Sequence, residues 1–334
     1  MIKTILTLLL SIAILSKSNN LLAQEKSLTY FANAKEFAKK DSLKLALIDL
    51  DSAIKLSPNF SDLYEFKGSI YERTREYRKG IGQYSLAILH SPNKAKPYIH
   101  RARLHYQLKD HRNYILNDVN QAIRIEPNNA DLHELKSFYY AHTLDPSSLR
   151  PDYENAILSI SKAIELAPKT PQLFYKRSSY KLKNKQILTA LLDINKAIEL
   201  NDKIDIYYHQ RAIVRFIMSD FRSSLNDINL AIQYNSNSII YYQFRGNVFY
   251  NLKKYDRSYQ DYSVAINLIF TELKKSKSKI APQSKINLNL RQTLLLRGMA
   301  SVQGNKPYDG CEDFNKALRM GESKASNYIS QYCD

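Results

Sequence analysis

The sequence has no tryptophan, only 8 glycines and 10 prolines, and 2 cysteines in 334 residues. So little glycine and proline excludes a loop-rich all-β fold, whose tight turns draw on both. No apolar run reaches the roughly 20 residues that a membrane-spanning helix needs; the most conspicuous extends only from Thr4 to Leu15. No cysteine follows that run, which removes lipid attachment there. The spacings that carry common chemistries are also missing: there is no His-Glu-x-x-His, no phosphate-cradling glycine loop and no Gly-x-Ser-x-Gly elbow. What is present is 44% hydrophobic residues, 25 tyrosines and a net charge of +17. A chain of this size buries a large core, yet it exceeds the length at which one compact core usually keeps growing.

Residues 1–23 read as an address. Lys3 is a short positive start, Thr4–Leu15 an apolar stretch, Ser16–Asn20 a polar one, and Leu22-Ala23-Gln24 offers a small residue at a cleavage point. The expectation is a removed signal peptide and an exported, periplasmic or secreted protein without a transmembrane anchor; an uncleaved tether is the alternative. Lys3 and Lys17 leave with the segment, so the mature charge is +17 − 2 = +15. Outside the cytoplasm such a charge points away from nucleic acid and toward an anionic surface, an acidic polysaccharide or an acidic protein face, or simply to solvated helix faces.

An internal repeat organises the rest. Ala-Ile pairs begin at Ala53, Ala87, Ala122, Ala163, Ala197, Ala231 and Ala265, with Ala317-Leu318 as an eighth copy; the spacings are 34, 35, 41, 34, 34, 34 and 52. Three residues before each Ala stands Leu50, Tyr84, Val119, Ile160, Ile194, Ile228, Tyr262 or Phe314. Small residues precede most of the pairs by seven, which puts these side chains on one stripe of a helix. Pro58, Pro92, Pro127 and Pro168 end that helix. A second small position precedes it, at Ala34, Gly68, Ala102, Ser137, Ser178, Ala212, Gly246 and Gly298. Four residues before that is usually an aromatic, Tyr30, Tyr64, Tyr98, Phe174, Tyr208 or Tyr242, with His133 and Leu294 as departures. Two helices per unit follow, the first expected to pack its ring into the space left by small residues.

This pattern resembles the tetratricopeptide repeat, with Tyr or Phe in place of its usual Trp, over Ser27 to about Lys324. The resemblance implies an all-α, right-handed α-solenoid of about eight helix–turn–helix repeats. Repeats one to seven would occupy 24–272, a basic insertion 273–290, and the eighth repeat with a capping helix 291–334. Repeat four carries extra residues around Thr143–Tyr153, with Pro146 and Pro151, and is expected to have a longer loop. The insertion, with Lys274, Lys275, Lys277, Lys279, Pro282 and Lys285, is either a lengthened helix with a basic loop or a bend.

Two charge rows recur in phase: Lys67, Arg101, Lys136, Arg177, Arg211, Arg245 and Arg297, and Asp49, Asp118, Asp193, Asp227, Asp261 and Asp313. They read either as an anion-binding track or as a ladder of pairs that fixes helix register. His100, His105, His133 and His142 fall in adjacent repeats, but His105 and His133 hold packing positions, so no metal site is expected. Cys311 and Cys333 are expected to form a disulfide that pins the last helix, with two buried thiols as the alternative; the run around Cys311 resembles the final unit of exported bacterial repeat proteins.

In the family the first helices line a concave groove, which implies partner contacts at Arg103, Tyr106, Phe138, Tyr175, His209, Phe216, Gln243, Asn247 and Tyr250. The family's carboxylate-clamping lysines are absent, since Glu65, Ile99, Tyr175 and Gln243 stand in their places. The expected function is a non-enzymatic scaffold that holds a protein or peptide in the bacterial envelope or secreted space, without catalytic residues, cofactor or metal. The alternative is a carbohydrate- or cell-wall-binding module, its aromatic groove stacking on a glycan.

Overall fold

A computed structural model describes residues 2–145, 149–275 and 283–333. Among the described residues there are seventeen helices and no strand. They fall into two compact units, residues 1–167 and 168–334, each described by itself. Pro146, Lys277, Lys279 and Pro282, and the side chains of Lys3, Lys17, Thr4–Leu15, Lys275 and Lys285, lie outside the described residues.

The first unit holds α1 (Ile2–Lys39), α2 (Leu43–Leu56), α3 (Ser61–Arg73), α4 (Tyr77–His90), α5 (Ala95–Gln107), α6 (Arg112–Ile125), α7 (Ala130–His142) and α8 (Tyr153–Leu166). The second holds α9 (Pro171–Lys183), α10 (Ile187–Leu200), α11 (Asp205–Ile217), α12 (Phe221–Tyr234), α13 (Ile239–Asn251), α14 (Tyr255–Lys275), α15 (Gln283–Gln303), α16 (Pro307–Arg319) and α17 (Ala325–Tyr332). Odd and even helices pair within each repeat, and each pair packs on the next one in its unit. No helix is long and apolar enough to cross a membrane among the described residues. The candidate cleavage point after Ala23 falls inside α1; Leu21 and Leu22 are exposed, and Ser27 is buried with its hydroxyl donating to the Ala53 carbonyl at 3.0 Å.

The small positions are where the two backbones of a pair meet. Ala53, Ala87, Ala122, Ala163, Ala197, Ala231, Ala265 and Ala317 have no solvent exposure. The ring filling the space over the first helix differs from the expectation: it comes from the second helix. A methyl group on Gly68, Gly246 or Gly298 would lie 2.8, 2.7 or 2.6 Å from the ring of Tyr84, Tyr262 or Phe314. Where the first helix has Ala or Ser instead (Ala34, Ala102, Ser137, Ser178, Ala212), the second brings aliphatic Leu50, Val119, Ile160, Ile194 or Ile228. Each pair thus keeps its summed volume nearly constant, as close packing requires. Replacing Ala197 with Leu is expected to overpack such a crossing and cost ~1–3 kcal/mol, read as a fall in stability in urea; an unchanged midpoint would contradict this packing.

The first-helix aromatics have another task. Tyr64 and Tyr208 donate to the Pro58 and Asp202 carbonyls at 2.8 and 2.9 Å, tying down the preceding turn. His133, the departure from the aromatic pattern, does the same work, with Nε2 at 3.1 Å from the Pro127 carbonyl.

The charge rows form a register ladder. Arg101, Arg177, Arg211, Arg245 and Arg297 each grip the Asp of their own repeat through two nitrogens, at 2.6–3.1 Å. Nη1 atoms also donate to the preceding second helix: Arg101 to Ser85, Arg211 to Asn195, Arg245 to Asn229 and Arg297 to Ser263. Lys67 meets Gln83 instead of Asp at the ladder position of its own repeat, and pairs with Asp51 of the preceding one. Fork-shaped guanidinium–carboxylate pairs hold orientation better than point charges do.

Both irregular joints have a physical cause. α7 stops at His142 and α8 starts at Tyr153. The loop between them is clasped by Arg112, which meets Asp145 and Asp152 while only 8% exposed. The equivalent first residue of every other second helix is uncharged: Leu43, Tyr77, Tyr153, Ile187, Phe221, Tyr255 and Pro307. The basic insertion falls between two lengthened helices: α14 and α15 both run 21 residues, and Ile269, Leu290 and Leu294 join their core. α17 covers the last apolar face, with Tyr328 stacked on Phe314 at 5.4 Å, and Cys311 and Cys333 are bonded to each other with Cα atoms 5.6 Å apart.

Candidate functional site

The face formed by the first helices carries the most elaborate chemistry in the first unit. Residues spaced i, i+4, i+7 share one side of a helix, so α3 presents Glu65, Ser69 and Glu72 while α5 presents Lys96, His100 and Arg103. The rows are complementary. Lys96 reaches Glu65 at 2.5 Å, and Glu72 accepts from the Tyr84 hydroxyl at 3.2 Å while facing His100 Nδ1 at 3.1 Å and Arg103 at 3.4 Å. Tyr84 stacks on His100 with centroids 5.2 Å apart, and burial together with the Glu72 carboxylate pushes the Tyr84 hydroxyl far above its ordinary pKa.

Beside these rows lies a groove of about 630 Å³, lined among others by Phe31, Lys35, Glu65, Phe66, Tyr84 and His100. Phe31 packs edge-on against Phe66 at 5.7 Å, and the Lys35 ammonium sits 3.9 Å from the centroid of the Phe31 ring. The cavity has the size of a ligand pocket and offers an aromatic floor with charges of both signs on its walls. Of the residues expected from the sequence to contact a partner, only Arg103 belongs to this network, where it meets Glu72 beside His100 and Tyr84.

Tyr106 and Phe138 meet edge-on at 5.5 Å further along the same unit, and Phe138 stacks on His142 at 4.2 Å. In the second unit Tyr175 lies 5.4 Å from Tyr207, and His209 packs between Tyr241 at 4.8 Å and Phe244 at 5.4 Å. Phe216 meets the same Phe244 at 5.5 Å. Burial pushes the His209 imidazole down to about 4, against which Asp205 acts weakly. Gln243 donates to Thr293 at 2.6 Å, Asn247 accepts from the Tyr262 hydroxyl at 2.7 Å, and Tyr250 packs on Tyr255 at 5.4 Å. Both amides therefore serve helix packing as they stand. The four histidines of adjacent repeats also go to separate partners: His100 to Glu72, His105 to Asp110, His133 to Pro127 and His142 to Phe138. Among the described residues no three His, Cys, Asp or Glu side chains converge as a metal-ligand set.

The groove residues Phe31, Lys35, Phe66 and Lys96, and Glu72 beside them, escaped sequence reasoning. Their signal was the alternation of acidic and basic rows on consecutive first helices, which becomes visible only when helices are compared across repeats.

No protein-family model matches the sequence, and no curated protein matches it. Among solved structures, a chain of the APC/C hetero-tetramer Cut9–Hcn1 is similar, with 12% identity and a TM-score of 0.53, over 91% of this chain and 55% of that one. A tetratricopeptide repeat protein from Parabacteroides merdae matches at 16% identity and TM-score 0.43, over 93% of this chain and 100% of its own. PilF from Pseudomonas aeruginosa matches at 14% and 0.49, over 70% and 95%. At these identities the likeness concerns the fold alone; the Cut9–Hcn1 match, with the paired helices, their small-residue crossings and the recurring frame, shows an all-α helical-repeat fold of the tetratricopeptide type.

Proposed function

We propose that this chain is a non-enzymatic scaffold that holds an extended segment of a protein partner across the first-helix face, in the cell envelope or secreted space of a bacterium. The groove of the first unit carries this reading: its cavity of about 630 Å³ joins an aromatic floor to rows of opposite charge, a surface suited to a peptide backbone with side chains of both kinds. The signal-like start and the Cys311–Cys333 bond, a linkage that persists in oxidising compartments, support work outside the cytoplasm. Rigid helices place the groove side chains, so little ordering is needed on binding.

Affinity capture from envelope extracts tests the proposal, with wild type beside a Lys35→Glu/Arg103→Glu variant whose helix content is checked by circular dichroism. The expected result is one protein retained at high salt by the wild type and recovered roughly tenfold less with the variant, the order expected when charges complementary to a partner are reversed. Recovery of glycan without a protein, or equal recovery by the variant, would overturn it.

A further inference from the structure

In the second unit, turns inside a repeat and turns between repeats lie at opposite ends of the helices, because neighbouring helices run antiparallel. One of these edges gathers cationic turns around an apolar tip. The turns after α9, α11, α13 and α15, with the first turns that follow them, carry Lys183, Lys185, Arg222, Lys253, Lys254, Arg257 and Lys306 against Asp220, Asp256 and Asp309. Asp220 is engaged as a helix cap with Ser223, and Asp256 pairs with Lys306. At the opposite edge the turns after α10 and α12 carry Lys203 with Asp202 and Asp205, and the sequence joining α14 to α15 adds Lys274, Lys275, Lys277, Lys279 and Lys285. The chain reverses in the basic turns through residues at positive φ, Lys185 (61°), Ser219 (62°), Lys253 (57°) and Asn305 (62°), so their side chains project from the edge on fixed backbone.

One turn breaks the pattern. The residue five past the small position is polar in every other repeat, as Lys39, Arg73, Gln107, His142, Lys183, Asn251 and Gln303. In the turn after α11 it is Ile217, 46% exposed, followed by Met218 at 41%. Two exposed apolar side chains therefore stand between cationic turns at this edge.

We propose that this edge of the second unit seats on an anionic lipid surface, its lysines and arginines meeting headgroup phosphates while Ile217 and Met218 enter the boundary of the acyl chains. Cations gather at an anionic leaflet, and an apolar tip among them gains from leaving water. A soluble polyanion would account for the charge and leave Ile217 and Met218 unexplained.

The absence of tryptophan makes a local test available. Met218→Trp places a single indole at the basic edge, and Asn237→Trp places one at the opposite edge, both in the full chain, so that any vesicle affinity of the N-terminal segment is common to both. With phosphatidylglycerol vesicles, the emission of the Met218→Trp chain should shift to the blue and be quenched by brominated acyl chains. The Asn237→Trp chain should show neither response, and phosphatidylcholine vesicles should affect neither chain. Adding Lys253→Glu, Lys254→Glu and Arg257→Glu to the Met218→Trp chain should raise the lipid needed for half the shift at least ~10-fold. Emission of the Met218→Trp chain unchanged by lipid, an equal shift in the Asn237→Trp chain, or indifference to the charge reversals would overturn the proposal. So would saturable binding of a soluble anionic polysaccharide with no lipid response from the indole at the basic edge.

Discussion

Asp227→Ala should destabilise the second unit by ~3–5 kcal/mol, the range for stranding a buried charge. The Asp227 carboxylate is 2% exposed and accepts from two guanidiniums: Nε and Nη2 of Arg211 at 2.7–3.1 Å and Nη1 of Arg215 at 2.7 Å. Removing it leaves both arginines facing one another in a part-buried space. They retain some access to water, at 17% and 26% exposure, which favours the lower end of the range. The intact cluster need not be a large net stabiliser, since desolvation offsets much of the attraction; the loss comes from the imbalance left behind. Urea unfolding followed by circular dichroism measures it. Glu199→Ala, which removes the exposed partner of Lys196, should leave the midpoint unmoved, as surface pairs contribute little. Equal effects of the two substitutions would contradict the ladder as described.

Acidification should cost the second unit about 3 kcal/mol through His209 alone. Burial among Tyr241 and Phe244 lowers its pKa from 6.5 to about 4. Between those values the unfolded chain holds a proton that the folded chain does not, so stability rises with pH there. The contribution is complete above about 6.5, is lost progressively as pH falls toward 4, and a shift of this size corresponds to ~3 kcal/mol. Asp205, which accepts from the Tyr241 hydroxyl at 2.9 Å, is the nearby acid that moderates the effect. His209→Phe keeps the ring and removes the titration, so the stability difference between wild type and variant should shrink or reverse as pH falls from about 7 to about 4. Carboxylates elsewhere titrate in both proteins and cancel in that difference. Parallel pH profiles would show that His209 is not buried in its neutral form.

The helix pairs were legible in the sequence because their cause is local: the Ala of each Ala-Ile pair sits where two backbones meet, and a 34-residue period repeats the demand. The Arg and Asp rows were legible for the same reason. What escaped needed two helices at once. That Gly68 belongs under Tyr84, and Ser178 with Ile194, follows only when the small position of one helix is set against the position three before Ala in the next. The Arg clips to Ser85, Asn195, Asn229 and Ser263 escaped likewise, because a Ser or Asn two residues before Ala looks like any exposed polar residue. The groove was missed for a third reason: Phe31, Ser69 and His100 line it from three helices at non-equivalent positions, so carrying one family position along the repeats could not collect them. The division after Ala167 has no counterpart in the frame, which runs through it unbroken.

The glycine–ring and alanine–aliphatic matching has a consequence for how such chains can be recombined. Each helix pair is cut to one of two gauges, and the gauge is shared by partners 16 or 17 residues apart in sequence outside the long-looped fourth repeat, as with Gly246 and Tyr262. Exchanging whole pairs carries both halves of the fit together. A crossover placed inside a pair could join Gly246 to the second helix that bears Ile228 and leave a void, or Ala212 to the one that bears Tyr262 and drive a methyl group into a ring. The period of the sequence advertises interchangeable repeats, but the fit between helices makes the pair the smallest unit that can be exchanged without repair.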